Sequence, residues 1–199
     1  MVEIVEGRLS VGGVPASDLA ATYGTPLYAY SADAFRARWR RLVDGIPYRH
    51  LQVYYSCKAN PAVAILRLVR GFGARLDVCS PGDVESGRAA GYSDNEMSYV
   101  GHAMSDEEIN LVADSDVFFT ADSLSQLQRM ADRAPGRQIG LRINCDVAAG
   151  FHAHVQAGAT ESAIFHQSAS WDKCHFLVSI HSLSTLDPTP LSIQSEAVF

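Results

Sequence analysis

Hydrophobic and polar positions change period along this chain. Between residues 31 and 46 apolar side chains recur every three or four positions. Phe35, Trp39, Leu42, Val43 and Ile46 share one helical face, and Ser31 or Asp33 is placed to cap its start. From residue 51 short apolar runs alternate with helical ones. Strands are expected at 51–56 (LQVYYS), 74–80 (ARLDVCS), 97–101 (MSYVG), 117–121 (VFFTA) and 138–144 (QIGLRIN). A helical run follows each of the first four. One starts at Pro61 and stops at Gly71, and the next runs from Gly82 to Ala90 and stops at Gly91. Ser105-x-x-Glu108 and Ser123-x-x-Gln126 have the form of capping boxes, and the second opens a helix with Leu124, Leu127 and Met130 inward. Tyr54 and Tyr55 face opposite sides of their strand, one of them toward the core.

The strand starts are separated by 23, 23, 20 and 21 residues. Units this short with a helix between strands require a parallel sheet. Such a sheet closes either as a doubly wound layer or as a (β/α)8 barrel. A dinucleotide-binding layer carries GxGxxG at its first strand–helix turn. Here that turn reads Cys57-Lys58-Ala59-Asn60-Pro61, without glycine, so the barrel is expected. A full barrel takes about 250 residues. Five strands and a possible sixth therefore predict an α/β fold that is part of a (β/α)8 TIM-type barrel. Leu51, Val53 and Leu141 are expected to line its inner face.

In a barrel the carboxyl ends of the strands carry the chemistry. Lys58 stands at the first such end, flanked by Tyr55 and Asn60. Partial desolvation there would favour a neutral amine able to form a Schiff base. The plainer reading is an exposed lysine that ends a strand. Ser80-Pro81-Gly82-Asp83, Gly101-His102, Asp122-Ser123 and Asn144-Cys145 stand at the next four ends.

The wording of these segments narrows the choice. YYSCKAN resembles the Y-A-x-K-A-N signature of the fold-type III pyridoxal-phosphate decarboxylases, the group that acts on diaminopimelate, ornithine and arginine. LAATYGTPLYAYSADAFRARW is similar to the segment that precedes the family's first barrel helix. GARLDVCSPGDVESGRAAGY, YVGHAMSDEEI, DSLSQL and LRINCDVAAGFHAHVQAGATES resemble the following units in order, so that the resemblance runs from about Val2 to Ser162. It implies that Lys58 carries pyridoxal 5'-phosphate covalently, and that Asp77 and Arg142 lie close to the cofactor ring. Asp83 stands where the family usually has glutamate. His102 and Met104 replace a usual Asn and Lys and receive no role. The loop GFHAHVQAG looks closer to the diaminopimelate branch. The implied function is decarboxylation of a small diamino or basic amino acid, in a homodimer. A non-catalytic cofactor-binding or regulatory relative that pairs with a full-length subunit is the alternative.

Residues 1–162 are thus expected to form the amino-terminal part of the barrel, and 163–199 an atypical tail. All 15 glycines precede residue 163, and no arginine follows Arg142. Truncation or a shifted reading frame would explain the tail and the absence of the family's C-terminal β-domain. Within the tail LVSIHSLST resembles the family's G-V-x-F-H-V-G-S strand. That places His181 at the ring-stacking histidine and Ser184 at the phosphate-binding serine, with Leu183 in place of a glycine. Alternatively, His181 is simply a histidine of an irregular tail.

Composition adds exclusions. The 199 residues are 47% hydrophobic and 19% charged, with net charge −6. Acidic balance without a basic run argues against nucleic acid and anionic membrane surfaces as partners. No apolar run is long enough to span a bilayer. Four scattered cysteines without CxxC spacing fit a reducing cytoplasm. His152 and His154, with His166, Cys174 and His175 later, could be metal ligands, but the His-x-His pair fits the loop of the resembled family and the rest lie in the atypical tail, so no metal is expected.

Overall fold

The computed structural model describes residues 2–142 and the backbone of Phe176–Ser179. The chain opens with a three-stranded antiparallel sheet, β1 (Val2–Val5), β2 (Arg8–Val11) and β3 (Val14–Pro15), followed by helices α1 (Ala16–Tyr23) and α2 (Ala32–Asp44). Ser31 caps α2 by accepting a hydrogen bond from the amide of Ala34, at 3.3 Å. Phe35, Trp39 and Val43 are half-buried on the expected face, whereas Leu42 and Ile46 are exposed. Trp39 packs on Phe72, with ring centroids 6.1 Å apart.

The alternating pattern then becomes a six-stranded parallel sheet. Its strands are β4 (Tyr54–Ser56), β5 (Arg75–Val78), β6 (Met97–Tyr99), β7 (Phe118–Ala121), β8 (Ile139–Arg142) and β9 (Phe176–Ser179), side by side in chain order. Helices α3 (Val63–Arg70), α4 (Pro81–Ala90), α5 (Asp106–Ala113) and α6 (Leu124–Arg133) form the crossovers. This is the expected partial (β/α)8 barrel, and β9 supplies the sixth strand.

One face of the sheet packs against the helices. Leu76, Val78, Met97, Tyr99, Phe119, Ala121, Ile139 and Leu141 are buried there with Leu66, Val84, Val112 and Met130. Leu141 is therefore not on the inner barrel face as expected. Its register partner is Ala121, a residue of the helix-covered face, and alternation carries it to that side. The other face carries Tyr54, Ser56, Arg75, Asp77 and Ser98, which are half-buried or exposed. Of the tyrosine pair, Tyr55 packs against the core and Tyr54 is 39% exposed on the open face.

Local details depart from the sequence pattern in two places. Ser105 and Glu108 form the expected reciprocal capping box. Ser123 caps α6 through the amide of Gln126, but the Gln126 side chain does not return to the cap. It is buried and bonds elsewhere, while Leu124 is 54% exposed rather than inward. Close packing also needs glycine at position 87. A Cβ there would sit 2.7 Å from Met97 Sδ and 2.8 Å from a Leu76 methyl.

Candidate functional site

Parallel strands deliver their carboxyl ends to one edge of the sheet, and the polar residues collect there. Lys58 follows β4 in a turn. Asp77 lies one residue before the end of β5, His102 follows β6, Asp122 follows β7, and Arg142 ends β8. Pairing fixes the levels: Ser56 lies opposite Asp77, and Asp77 opposite Ser98. The amide of Cys57 donates to the carbonyl of Asp77 at 2.9 Å, which extends the β4–β5 ladder to the residue before Lys58.

Lys58 is exposed, and among the described residues no hydrogen bond or ion pair engages its amine. The partial desolvation expected from the sequence is not what the structure shows. Its turn is held from behind. Tyr55 Oη donates to the Asn60 carbonyl at 3.4 Å, and Asn60 Oδ1 accepts from the amide of Ala62 at 3.0 Å. Two thiols flank the lysine's strand end. Cys57 is 1% exposed, and burial first, with nearby Asp83 second, pushes its thiol up to about 12. Cys79 is raised by burial and then by its hydrogen bond to Asp83, while the Lys58 charge pulls it down. That last effect places Lys58 within electrostatic reach of the end of β5. The Asp83 carboxylate accepts from the Cys79 amide at 3.0 Å and from its Sγ at 3.3 Å, so it turns back to the strand end.

Sequence reasoning gave His102 no role, and there it missed a connection. His102 Nδ1 meets Asp122 Oδ2 in a close contact, and His102 Nε2 lies 3.0 Å from Arg142 Nη1. The loop that carries it is tightly built. A Cβ on Gly101 would lie 2.7 Å from the Tyr99 ring, and Ala103 adopts φ 48°, a left-handed conformation rare for a residue with a Cβ. Gln126 pins both ends of the arrangement: its Oε1 accepts from the Asp122 amide at 3.1 Å and its Nε2 donates to the Gly101 carbonyl at 2.9 Å. The signal that could have found this was the polar residue at each successive strand end.

The structure thus brings Lys58, Asp77 and Arg142 to the same edge. His181 and Ser184 lie outside the described residues, as do His152, His154, His166, Cys174 and His175. Among the described residues no group of three His, Cys, Asp or Glu side chains could hold a metal ion, and no helix is long and apolar enough to cross a membrane. A cavity of about 770 Å³ opens at the opposite, amino-terminal end of the strands, between Tyr54, Arg75, Asp94, Asp116 and Arg137. It is remote in the fold from Lys58, and Arg137 is engaged there with the carbonyls of Val112, Ala113 and Val117.

Comparison with known proteins agrees with this fold. The sequence profile described as "Pyridoxal-dependent decarboxylase, pyridoxal binding domain" matches residues 32–186. A diaminopimelate decarboxylase of Methanothermobacter thermautotrophicus is 38% identical over 160 residues, 79% of this chain and 37% of that protein. One of Vibrio cholerae is 30% identical over 190 residues, 92% of this chain and 44% of that protein. Among solved structures, the diaminopimelate decarboxylase of M. jannaschii in co-complex with L-lysine is 26% identical with TM-score 0.71, covering 82% of this chain and 40% of that one. That of Helicobacter pylori complexed with L-lysine has the same fold, at 24% identity and TM-score 0.69, covering 74% and 39%. The chain spans less than half the length of these relatives. With the profile covering most of its residues, the chain belongs to the pyridoxal-dependent decarboxylase family, through that family's pyridoxal-binding domain.

Proposed function

We propose that this chain supplies the cofactor-anchoring part of a decarboxylase acting on a diamino or basic amino acid, with Lys58 as the residue that holds pyridoxal 5'-phosphate. The observation that carries the reading is the position of Lys58: an amine that no described residue engages, at the carboxyl end of the first strand of the parallel sheet, on the edge where Asp77 and Arg142 also lie. The donor set suits the group. A primary amine is what an aldehyde requires, and a guanidinium with donors to spare suits an anionic ligand. When bound, the pyridoxal ring acts as the electron sink that makes loss of an α-carboxylate feasible.

The chain's own residues have distinct tasks. Lys58 holds the cofactor through its amine, from a turn stiffened by Tyr55 and Asn60. Asp77 presents a carboxylate from the open face of β5, and Arg142 a guanidinium from the end of β8. His181 and Ser184 are proposed for the ring face and the phosphate by their resemblance alone. The relatives' titles name diaminopimelate decarboxylases, and two of the solved structures hold L-lysine. A substrate with two amines follows from that similarity. Assembly as a homodimer and a cytoplasmic location belong to the same proposal, as does the division at residue 162.

The direct test is covalent. Incubation with pyridoxal phosphate, reduction with borohydride and peptide mapping should find the pyridoxyl group on Lys58, and Lys58→Ala should abolish it. Labelling confined to other lysines overturns the assignment.

A further inference from the structure

We propose that Asp122 and His102 form a positioning relay that aims the Arg142 guanidinium at the strand-end site, with the His102 ring proton held on Nδ1. The proposal rests on the placement of Arg142 beside the cofactor, but its first test does not.

The geometry fixes the protons. A guanidinium has N–H donors and no acceptor. The 3.0 Å contact of Arg142 Nη1 with His102 Nε2 therefore needs a lone pair on Nε2. The ring proton must then sit on Nδ1, where it is donated to Asp122 Oδ2. The three groups form one chain: carboxylate, imidazole, guanidinium. Asp122 is the anchor, with 7% exposure and its amide tied to Gln126. Gln126, 2% exposed, also holds Gly101, the residue before His102. The His102 side chain itself is 60% exposed, so its orientation comes from its two partners rather than from packing.

Two charged groups contact the imidazole among the described residues: Asp122 from the end of β7 and Arg142 from the end of β8. On the far side of the same loop, Asp106 pairs with Arg129, and Glu108 is bound to Ser105 and Tyr99. A second proton on His102 would turn the Nε2 acceptor into an N–H facing a cation, and Arg142 would lose its guide. Its other donors have no partner among the described residues, so an anion at the site is what its aim would serve. His102 acts through Arg142 and needs no contact with the reacting atoms.

The test is nitrogen NMR on the ligand-free 199-residue chain with labelled histidine, the His102 signals being assigned by their loss in His102→Gln. At neutral pH, His102 is expected with its proton on Nδ1 and a bare Nε2. In Arg142→Met the population should shift toward the Nε2–H form that imidazole prefers in water. A proton on Nε2 in the wild-type chain overturns the relay. The second arm measures pyridoxal phosphate affinity at neutral pH. His102→Ala should bind about tenfold more weakly, the loss of one charge-assisted hydrogen bond. His102→Gln keeps a donor and an acceptor, so it should recover most of the wild-type affinity. Affinity in His102→Gln no better than in His102→Ala, or undiminished affinity in His102→Ala, overturns the relay. If the Lys58 assignment is wrong, the pyridoxyl adduct at Lys58 fails in every variant while the tautomer result stands unchanged.

Discussion

Around the end of β5 one carboxylate sets the chemistry of a thiol. Asp83 accepts from both the amide and the Sγ of Cys79. A hydrogen bond to an anion stabilises the protonated thiol, and burial does the same. Lys58 works in the opposite direction by favouring the thiolate. Both Cys57 and Cys79 should therefore react slowly with iodoacetamide at neutral pH, where thiols are attacked as thiolates. Asp83→Asn should speed alkylation of Cys79, and Lys58→Ala should slow it; peptide mass spectrometry over time reads both. Acceleration in Lys58→Ala would mean that the lysine does not face this strand end. Strand-end position in the sequence marked Lys58 and set His102 and Asp122 at later strand ends, while Asp77 and Arg142 came from the family resemblance. Position could not join His102 to Asp122 and Arg142, which lie 20 and 40 residues away. Only parallel register brings the three together, and no local spacing encodes that.

Elements differ in how far their sequence revealed them. The Ser105 box was legible because both its bonds are local. The Ser123 box was half legible: the cap formed, but the glutamine side chain found two buried backbone partners instead. An amphipathic template puts leucine inward, yet the first turn of α6 leaves Leu124 at the rim and takes Gln126 inside. Gln126→Met should accordingly leave the Asp122 amide and the Gly101 carbonyl unpaired, lowering stability by about 2 kcal/mol. It should also disorder the His102 contact, visible as loss of a single imidazole tautomer. Gly87→Ala should force α4 away from Met97 and Leu76, at about 1–3 kcal/mol for overpacking, read as a lower urea midpoint. A third link joins α4 to the turn before β6. Arg88 Nε and Nη2 reach both Asp94 oxygens at 2.9 and 2.8 Å. The hydrogen bond from Arg88 holds the Asp94 carboxyl below its usual 3.8. A depressed carboxyl stabilises the fold above its unfolded value, and that contribution fades as pH falls through the folded one. Arg88→Ala should therefore lower stability by about 0.5 kcal/mol at neutral pH, a figure discounted for exposure, and by less in acid well below the usual 3.8. Urea titrations at the two pH values measure the difference.

On the scale of the whole molecule, period and spacing were enough to read a parallel sheet, because each short crossover forces the same handed step, and the glycine-free first turn then favoured a barrel. Strand lengths were read too long. β4 pairs with β5 over Tyr54–Ser56, and one further bond continues the ladder at each end: the Cys57 amide to the Asp77 carbonyl and the Arg75 amide to the Val53 carbonyl, both at 2.9 Å. The apolar residues before it are continuous in sequence but have no neighbour to pair with among the described residues. The same feature governs how the 199-residue chain should behave when purified by itself. Among the described residues one edge of β4 offers unpaired backbone groups, which favours association with other strands. The amino-terminal sheet and its surroundings expose Val2, Ile4, Tyr23 and Tyr28 at 66%, 76%, 72% and 87%. Each large apolar side chain left in water forgoes roughly 1.5–3 kcal/mol of burial. The site edge itself has an exposed Lys58 whose amine no described residue orients, and an Arg142 aimed through one exposed histidine. Catalysis by positioning weakens steeply when the reacting group is loosely held. The chain alone should therefore sediment in a concentration-dependent way. With saturating pyridoxal phosphate, it should release carbon dioxide from diaminopimelate, lysine or ornithine no faster than its Lys58→Ala variant. Steady release that requires Lys58 would show that these residues suffice to hold the reacting group, and would overturn the expectation.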